Sequence, residues 1–271
     1  MKPKPRHLGP EHGSVFSARS VVEAYRHRPP YPPETFDILA DLAIEPGGAV
    51  LDAGCGTGLL ARLLAMRGFR VDGVDPSAAM LEVGRRLEGG DRVNWIEAPM
   101  ESAPLEPPYA LATAGESLHW MEWSVVLPRI AEALLPGARL VVVGKEFDPS
   151  PWADELAGLV ARFTTNPDLK SLDLAEELAS RGLFAPEGEV RTGTVRFDSR
   201  VEDYVESFHS TSYLSRERMA PEDAAAFDAE VRRLVYDAHP GGRFTSEVRA
   251  RIAWGEPLTS LSGPTSPRTT R

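Results

Sequence analysis

Apolar residues follow two periods along this chain, and the periods alternate. A short apolar run ends at Leu51, and after a glycine-rich interval Leu59, Leu60, Leu63 and Leu64 recur at helical spacing. The unit repeats over 69–75, followed by a helix marked by Met80, Leu81 and Val83 that Ser77 can cap. Strands are predicted over 92–96, 109–113 and 138–144, the last an unbroken apolar run of the fully buried kind. A helix over 124–135 sets Val126, Ile130 and Leu134 on one face and stops at Pro136-Gly137. Strands alternating with helices predict an α/β fold built on a doubly wound sheet, with ligands at the carboxyl ends of its strands.

The flanks are weaker in pattern. Residues 1–15 carry Pro, Gly and Lys without periodicity and are expected to be a loose arm. A short helix then ends before Pro29-Pro30, and a second is predicted over 34–43. Beyond residue 145, helices are predicted over 151–163, 172–182 and much of 201–238, with strands over 190–197 and 243–254. One domain over 16–255 is expected, with helical lid insertions at about 146–171 and 200–242. Residues 256–271, rich in Pro, Thr, Ser and Arg, read as a disordered tail.

The interval after the first strand reads Asp52-Ala53-Gly54-Cys55-Gly56-Thr57-Gly58. Glycines at alternate positions permit positive φ and remove Cβ atoms that would hold a ligand off the backbone. A phosphate-cradling loop needs Lys-Ser or Lys-Thr after its last glycine, where Leu59-Leu60 stand. A dinucleotide turn needs glycine at Leu59. Asp75 ends the second strand about 20 residues on, where an acid can accept hydrogen bonds from ribose hydroxyls.

Asp-x-Gly-x-Gly-x-Gly headed by Asp52 resembles motif I of the class I methyltransferases, which bind S-adenosylmethionine (SAM). Leu134-Leu135-Pro136-Gly137-Ala138-Arg139-Leu140 resembles that family's Leu-x-Pro-Gly-Gly-x-Leu turn. Tyr25-Arg26-His27-Arg28-Pro29-Pro30-Tyr31-Pro32 resembles the opening segment of its small-molecule branch, and Leu118-His119-Trp120 a recurrent triplet there. Residues 16–145 thus resemble the branch that includes ubiquinone/menaquinone and trans-aconitate methyltransferases. The resemblance implies a Rossmann-like sheet of seven strands, the last antiparallel, under a helical lid.

It also implies a cofactor site of Tyr25, Arg28, Asp52, Gly54, Gly56, Gly58, Asp75, Pro76, Met100 and Ala114. Arg28 is expected at the methionine carboxylate, which a guanidinium can hold bidentately. Family members place an acid where Pro99 stands, so adenine recognition is expected to pass to main-chain groups near Met100. His119 follows the fourth strand, where the fold presents the transferable methyl. It is expected either as a general base or as a structural corner with Trp120. Tyr31, Trp120, His209 and Tyr213 are expected to line the acceptor pocket. Glu106-Pro107-Pro108-Tyr109 looks like a DNA amino-methyltransferase signature, but it precedes its strand rather than following it and reads as a loop.

Composition narrows the partners. A formal net charge of −10 over 271 residues argues against a dedicated nucleic-acid binder, which needs clustered Lys and Arg. No apolar run approaches the roughly 20 residues of a membrane span, and the first residues lack a secretory apolar stretch. A single cysteine excludes a disulfide framework and suits the cytoplasm. No metal is expected. The reading is methyl transfer from SAM, with S-adenosylhomocysteine as product, to an O, N or C nucleophile of a small molecule. The alternatives are a SAM-binding protein of the same fold that transfers nothing, a cyclase-like catalyst, or a tRNA or protein methyltransferase.

Overall fold

The computed structural model describes residues 4–259. The chain begins with two 3-10 turns, Arg6–Leu8 and Ser14–Ser17, on either side of the four-residue α1 (Pro10–Gly13). Helices α2 (Arg19–Tyr25) and α3 (Glu34–Leu42) follow. The alternating core comprises β1 (Ala49–Ala53), α4 (Leu59–Met66), β2 (Arg70–Asp75), α5 (Ala78–Arg86) and β3 (Val93–Glu97). It continues through β4 (Leu111–Gly115), α6 (Trp123–Ala133) and β5 (Leu140–Phe147). After it come α7 (Ala153–Phe163), α8 (Leu174–Ser180), β6 (Phe184–Arg191), β7 (Val195–Arg200), α9 (Val201–Phe208), α10 (Pro221–Ala238) and β8 (Arg243–Pro257).

The sheet order is β3-β2-β1-β4-β5-β8-β6, with β7 also on β8. Strands β1 to β5 are mutually parallel, and β8 runs antiparallel to β5. The order reverses between β1 and β4, and that switch opens a crevice at their carboxyl ends. Alternation along each strand divides the core. Leu51, Ala112 and Leu140 pack with α6 on one face, while Val50, Leu111 and Val141 pack with α3 and α4 on the other. Every residue of β1 is buried, as expected of a strand covered on both sides.

Among the described residues the sheet has eight strands rather than seven. The stretch expected as one strand over 190–197 is two, β6 and β7, both paired with β8. Strand β6 carries Pro186 and Gly188 around a register shift, and its outward side chains are polar, so it has almost no apolar signature. Strand β8 is 15 residues long and pairs with β7 along its first half and β6 along its second. Its Phe244 reaches a third apolar cluster, where Trp152, Phe163, Val205, Phe227 and Val231 join α7, α9 and α10. That cluster is the core of the helical lid.

The N-terminal arm departs from the expected loose segment. His7, Leu8, His12 and Val15 are buried. Lys4 Nζ donates to the Met121 carbonyl at 3.0 Å, Asn166 Nδ2 donates to the His7 carbonyl at 3.0 Å, and Ser77 Oγ donates to the Phe16 carbonyl at 3.0 Å. The arm thus straps the lid to the sheet. Expected tail residues 256 and 257 complete β8, and 260–271 lie outside the described residues. Among the described residues no helix is long and apolar enough to cross a membrane.

Candidate active site

Strand β1 ends at Ala53, and the next five residues turn the chain into α4 with φ of 68°, 56° and 74° at Gly54, Gly56 and Gly58. The amides of Gly54 and Cys55 both donate to the Val74 carbonyl, at 2.8 and 2.9 Å, so the turn is clamped to β2. The three glycines differ in what a side chain would meet. A Cβ on Gly54 would strike Ser117, and one on Gly58 would strike the Trp95 ring. A Cβ on Gly56 meets nothing closer than the Tyr25 hydroxyl at 4.0 Å. Two glycines therefore serve packing, while the third faces a gap over bare backbone. That gap is the cradle a cofactor needs.

The acids around it are engaged. Asp52 is buried, accepting from the Ala61 amide at 3.1 Å and from Thr113 Oγ1 at 2.9 Å. Burial pushes its carboxyl up to about 7, against the pull of those two bonds. Asp52 thus ties α4 to β4 while lining the cavity over the glycine turn. Asp75 accepts from the Gly56 amide and the Ser77 amide, both at 2.9 Å. It steadies the turn, and each of its oxygens keeps a lone pair for a hydroxyl donor.

Tyr25 and Tyr31 roof the gap, and what remains beneath them is a cavity of about 20 Å³. Cofactor-sized pockets span roughly 300–1,000 Å³, so the roof must lift to admit one. Arg28 holds the roof down. Its Nε donates to Ser210 Oγ and its Nη2 to the Ser210 carbonyl, both at 2.7 Å, and its guanidinium stacks on the Tyr25 ring at 4.3 Å. Arg28, expected at the methionine carboxylate, thus links the N-terminal segment to the lid in this structure. Tyr31, expected at the acceptor, is buried beside the glycine turn in this cavity, beneath the Lys145 ammonium.

The remaining cofactor candidates lie around the rim. Ala114 is buried in β4, and Pro76 is exposed after β2. The Met100 side chain is buried in the core and its carbonyl accepts from Arg129 Nε at 3.3 Å.

A second pocket, of about 200 Å³, opens past the end of β4. His7, His119, Trp120 and Tyr213 meet Leu172 and Leu174 there, so the structure brings Trp120 and Tyr213, both expected at the acceptor, into one pocket. His209 is not among them. Its ring lies between the Leu214 carbonyl, 2.7 Å from Nδ1, and Asp228, 2.6 Å from Nε2, buried inside the lid. Three further contributors were not among the expected site residues: His7 from the arm, Glu116 just past β4, and Lys145 within β5. A charged residue closing a buried run, as in Val142-Val143-Gly144-Lys145, was the available signal, because the carboxyl-terminal parts of strands in such sheets face the crevice.

His119 packs against Trp120 with ring centroids 4.5 Å apart, and burial pulls its imidazole down from 6.5 to about 4. It is neutral at pH 7, and a conjugate acid near 4 makes a weak base for a hydroxyl. The unfolded chain takes up this proton below about pH 6.5 while the folded chain does not until about pH 4. Stability present above pH 6.5 is therefore lost as pH falls, by on the order of 3 kcal/mol at His119. Wild type should lose more unfolding free energy than His119→Gln between pH 7 and 4, as denaturant titrations would measure. A difference between them that is independent of pH would mean that His119 protonates normally.

Comparison with known proteins agrees with this architecture. A methyltransferase-domain family model matches residues 50–137, from β1 to the turn after α6. An uncharacterized methyltransferase of Mycobacterium tuberculosis (strain ATCC 25618 / H37Rv) is 36% identical over 150 residues, 54% of this chain and 60% of that protein. A trans-aconitate 2-methyltransferase of Azoarcus sp. (strain BH72) is 32% identical over 136 residues, 45% of this chain and 53% of that protein. The chain thus spans little more than half the length of these curated relatives. A solved structure from Anaeromyxobacter dehalogenans, named as a candidate type II methyltransferase, superposes with a TM-score of 0.61 at 25% identity, covering 84% of this chain and 97% of its own. A SAM-dependent methyltransferase from Geobacter sulfurreducens, solved with S-adenosylhomocysteine, shares the fold at a TM-score of 0.51 and 19% identity, covering 95% and 100%. The glycine turn, the strand order and the matched domain agree: residues 50–137 match a methyltransferase domain, and the chain shares the fold of SAM-dependent methyltransferases.

Proposed function

We propose that the protein transfers a methyl group from SAM to a small-molecule acceptor held between the end of β4 and the lid. The observation that carries this is adjacency. Gly115 and Glu116 line the cavity over the glycine turn, and His119 and Trp120, a few residues on, line the lid pocket. A cofactor in the first and an acceptor in the second would meet across one turn of chain.

The cradle at Gly56, with Asp75 beside it, would hold the cofactor, which when bound supplies an electrophilic methyl group on sulfur. The protein's part is to align the acceptor and keep water out. Leu172, Leu174 and Trp120 give the pocket apolar walls. Neutral His119 accepts a hydrogen bond from the acceptor and orients it. A pocket of about 200 Å³ suits a small molecule, and the net charge of −10 disfavours tRNA. With its single cysteine, Cys55, buried in the turn, the protein suits the reducing cytoplasm.

Mass spectrometry of the purified protein and a screen with methyl-labelled SAM test this reading. SAM or S-adenosylhomocysteine should copurify, and label should pass to a small molecule in the panel. Tight binding without transfer to any class of acceptor would make the protein a binding module, and label on tRNA or protein would end the small-molecule reading.

A further inference from the structure

One ion pair beside the glycine turn joins a buried lysine to a half-buried glutamate, their side chains 5% and 32% exposed. Glu116, one residue beyond β4, has φ of 53° and is the one non-glycine residue with positive φ among those described. The backbone strain turns its side chain toward β5, where Lys145 Nζ lies 2.8 Å from Glu116 Oε2. The ammonium also sits 4.5 Å over the Tyr31 ring. Burial pushes Glu116 up, but Lys145 and Arg28 outweigh it and hold the carboxyl below its ordinary value. Burial pulls Lys145 down, opposed by Glu116.

Stability does not explain this arrangement. Desolvating two charges cancels most of their attraction, and apolar residues of similar volume often serve as well. A left-handed non-glycine residue adds its own cost, and such strain gathers at ligand sites. Both side chains line the small cavity over the glycine turn. The other charged groups near it are committed: Asp52 to Ala61 and Thr113, Asp75 to Gly56 and Ser77, Arg28 to Ser210. The Glu116–Lys145 pair alone offers opposite charges to a ligand there.

We propose that this pair reads the amino-acid end of SAM, Glu116 taking the α-ammonium and Lys145 the α-carboxylate. The inference rests on the SAM reading above. An ion pair is the electrostatic complement of a zwitterion. Each charge exchanges its partner for a ligand group of the same sign, so binding adds no net charge to a buried site. The pair also keeps both groups ionised, and Lys145 held in place, before the ligand arrives.

Calorimetry with ligand fragments tests the pairing without turnover. Wild type should prefer S-adenosylhomocysteine to 5′-methylthioadenosine, which lacks the amino-acid end, by about a hundredfold, the scale of charge-assisted bonds. The double variant Glu116→Gln/Lys145→Gln leaves no unpaired buried charge and should fold. In it the preference should drop by about tenfold or more, with 5′-methylthioadenosine binding within about twofold of wild type. Decarboxylated SAM keeps the ammonium alone, so Glu116→Gln should weaken it and Lys145→Gln should not. Lys145→Arg, which retains the charge and avoids an unpaired Glu116, should keep the preference. Unaltered preference in the double variant overturns the proposal while leaving the SAM reading intact. Wild type binding neither compound overturns both.

Discussion

Gly56→Leu is expected to abolish SAM binding and leave the fold in place. At φ of 56° a leucine costs about 1–2 kcal/mol in backbone strain, well inside the roughly 5–15 kcal/mol of a typical domain. Its side chain would project into the gap under Tyr25, where no protein atom lies closer than 4.0 Å to the added Cβ. Micromolar binding corresponds to roughly −8 kcal/mol, and a side chain standing in the cradle removes most of it. Calorimetry should show SAM affinity reduced more than about hundredfold while the circular dichroism stays that of wild type. Gly58→Leu is the control for a different failure, since its Cβ would collide with Trp95 and should unfold the protein. Normal binding in Gly56→Leu would move the cofactor away from the turn and end both the site and the function assigned to it.

That the turn was legible, and the lid largely was not, follows from where the information lies. Strands β1, β4 and β5 are covered on both faces, so each appears in the sequence as a short apolar run bounded by turn residues. The glycine turn is legible because its conformation demands the residue type at each step. Strands β6 and β7 pair only with β8, carry alternating exposed charges and merge in the sequence into one vague signal.

Side-chain contacts depend on partners far along the chain, and there the sequence carries no local signal. Arg28 finds Ser210 across 182 residues and His209 finds Asp228 across 19, neither at a spacing that any local period marks. The arm is legible as aperiodic but not as buried, because His7 and Leu8 pack against the lid and sheet rather than within an element of their own. Glu116, just past β4, and Lys145, within β5, are 29 residues apart, and the β4–β5 register brings them together.

The Arg28 link and the lid share one dependence. Ser210, which holds Arg28, and Ser212 and Tyr213, which line the acceptor pocket, occupy the short segment between α9 and Leu214. That segment is pinned at both ends by His209. Nδ1 lies 2.7 Å from the Leu214 carbonyl, which can only accept, so Nδ1 carries a hydrogen and donates it. Nε2 meets Asp228 of α10 at 2.6 Å, and the other Asp228 oxygen accepts from Arg216 at 3.1 Å. Burial pushes the Asp228 carboxyl up, yet His209 and Arg216 hold it below its ordinary value. Asp228→Ala leaves His209 and Arg216 without their shared acceptor inside the lid.

Breaking a buried pair costs about 3–5 kcal/mol, and the side chains of His209 and Asp228 are only 1% and 11% exposed. A loss of about 3 kcal/mol should lower Tm by roughly 6–12 °C in a domain of this size. Glu206→Ala breaks the neighbouring pair with Arg216, whose side chains are 36% and 38% exposed, and should cost under about 1 kcal/mol. Hydrogen exchange should rise over residues 209–214 in Asp228→Ala and not in Glu206→Ala. With the segment released, Arg28 loses its anchor and the acceptor pocket one wall, so turnover should fall more steeply than the melting shift alone explains. Equal, small shifts in the two variants would show that His209 is held by packing against Phe227, and would detach the lid's order from the Asp228 network.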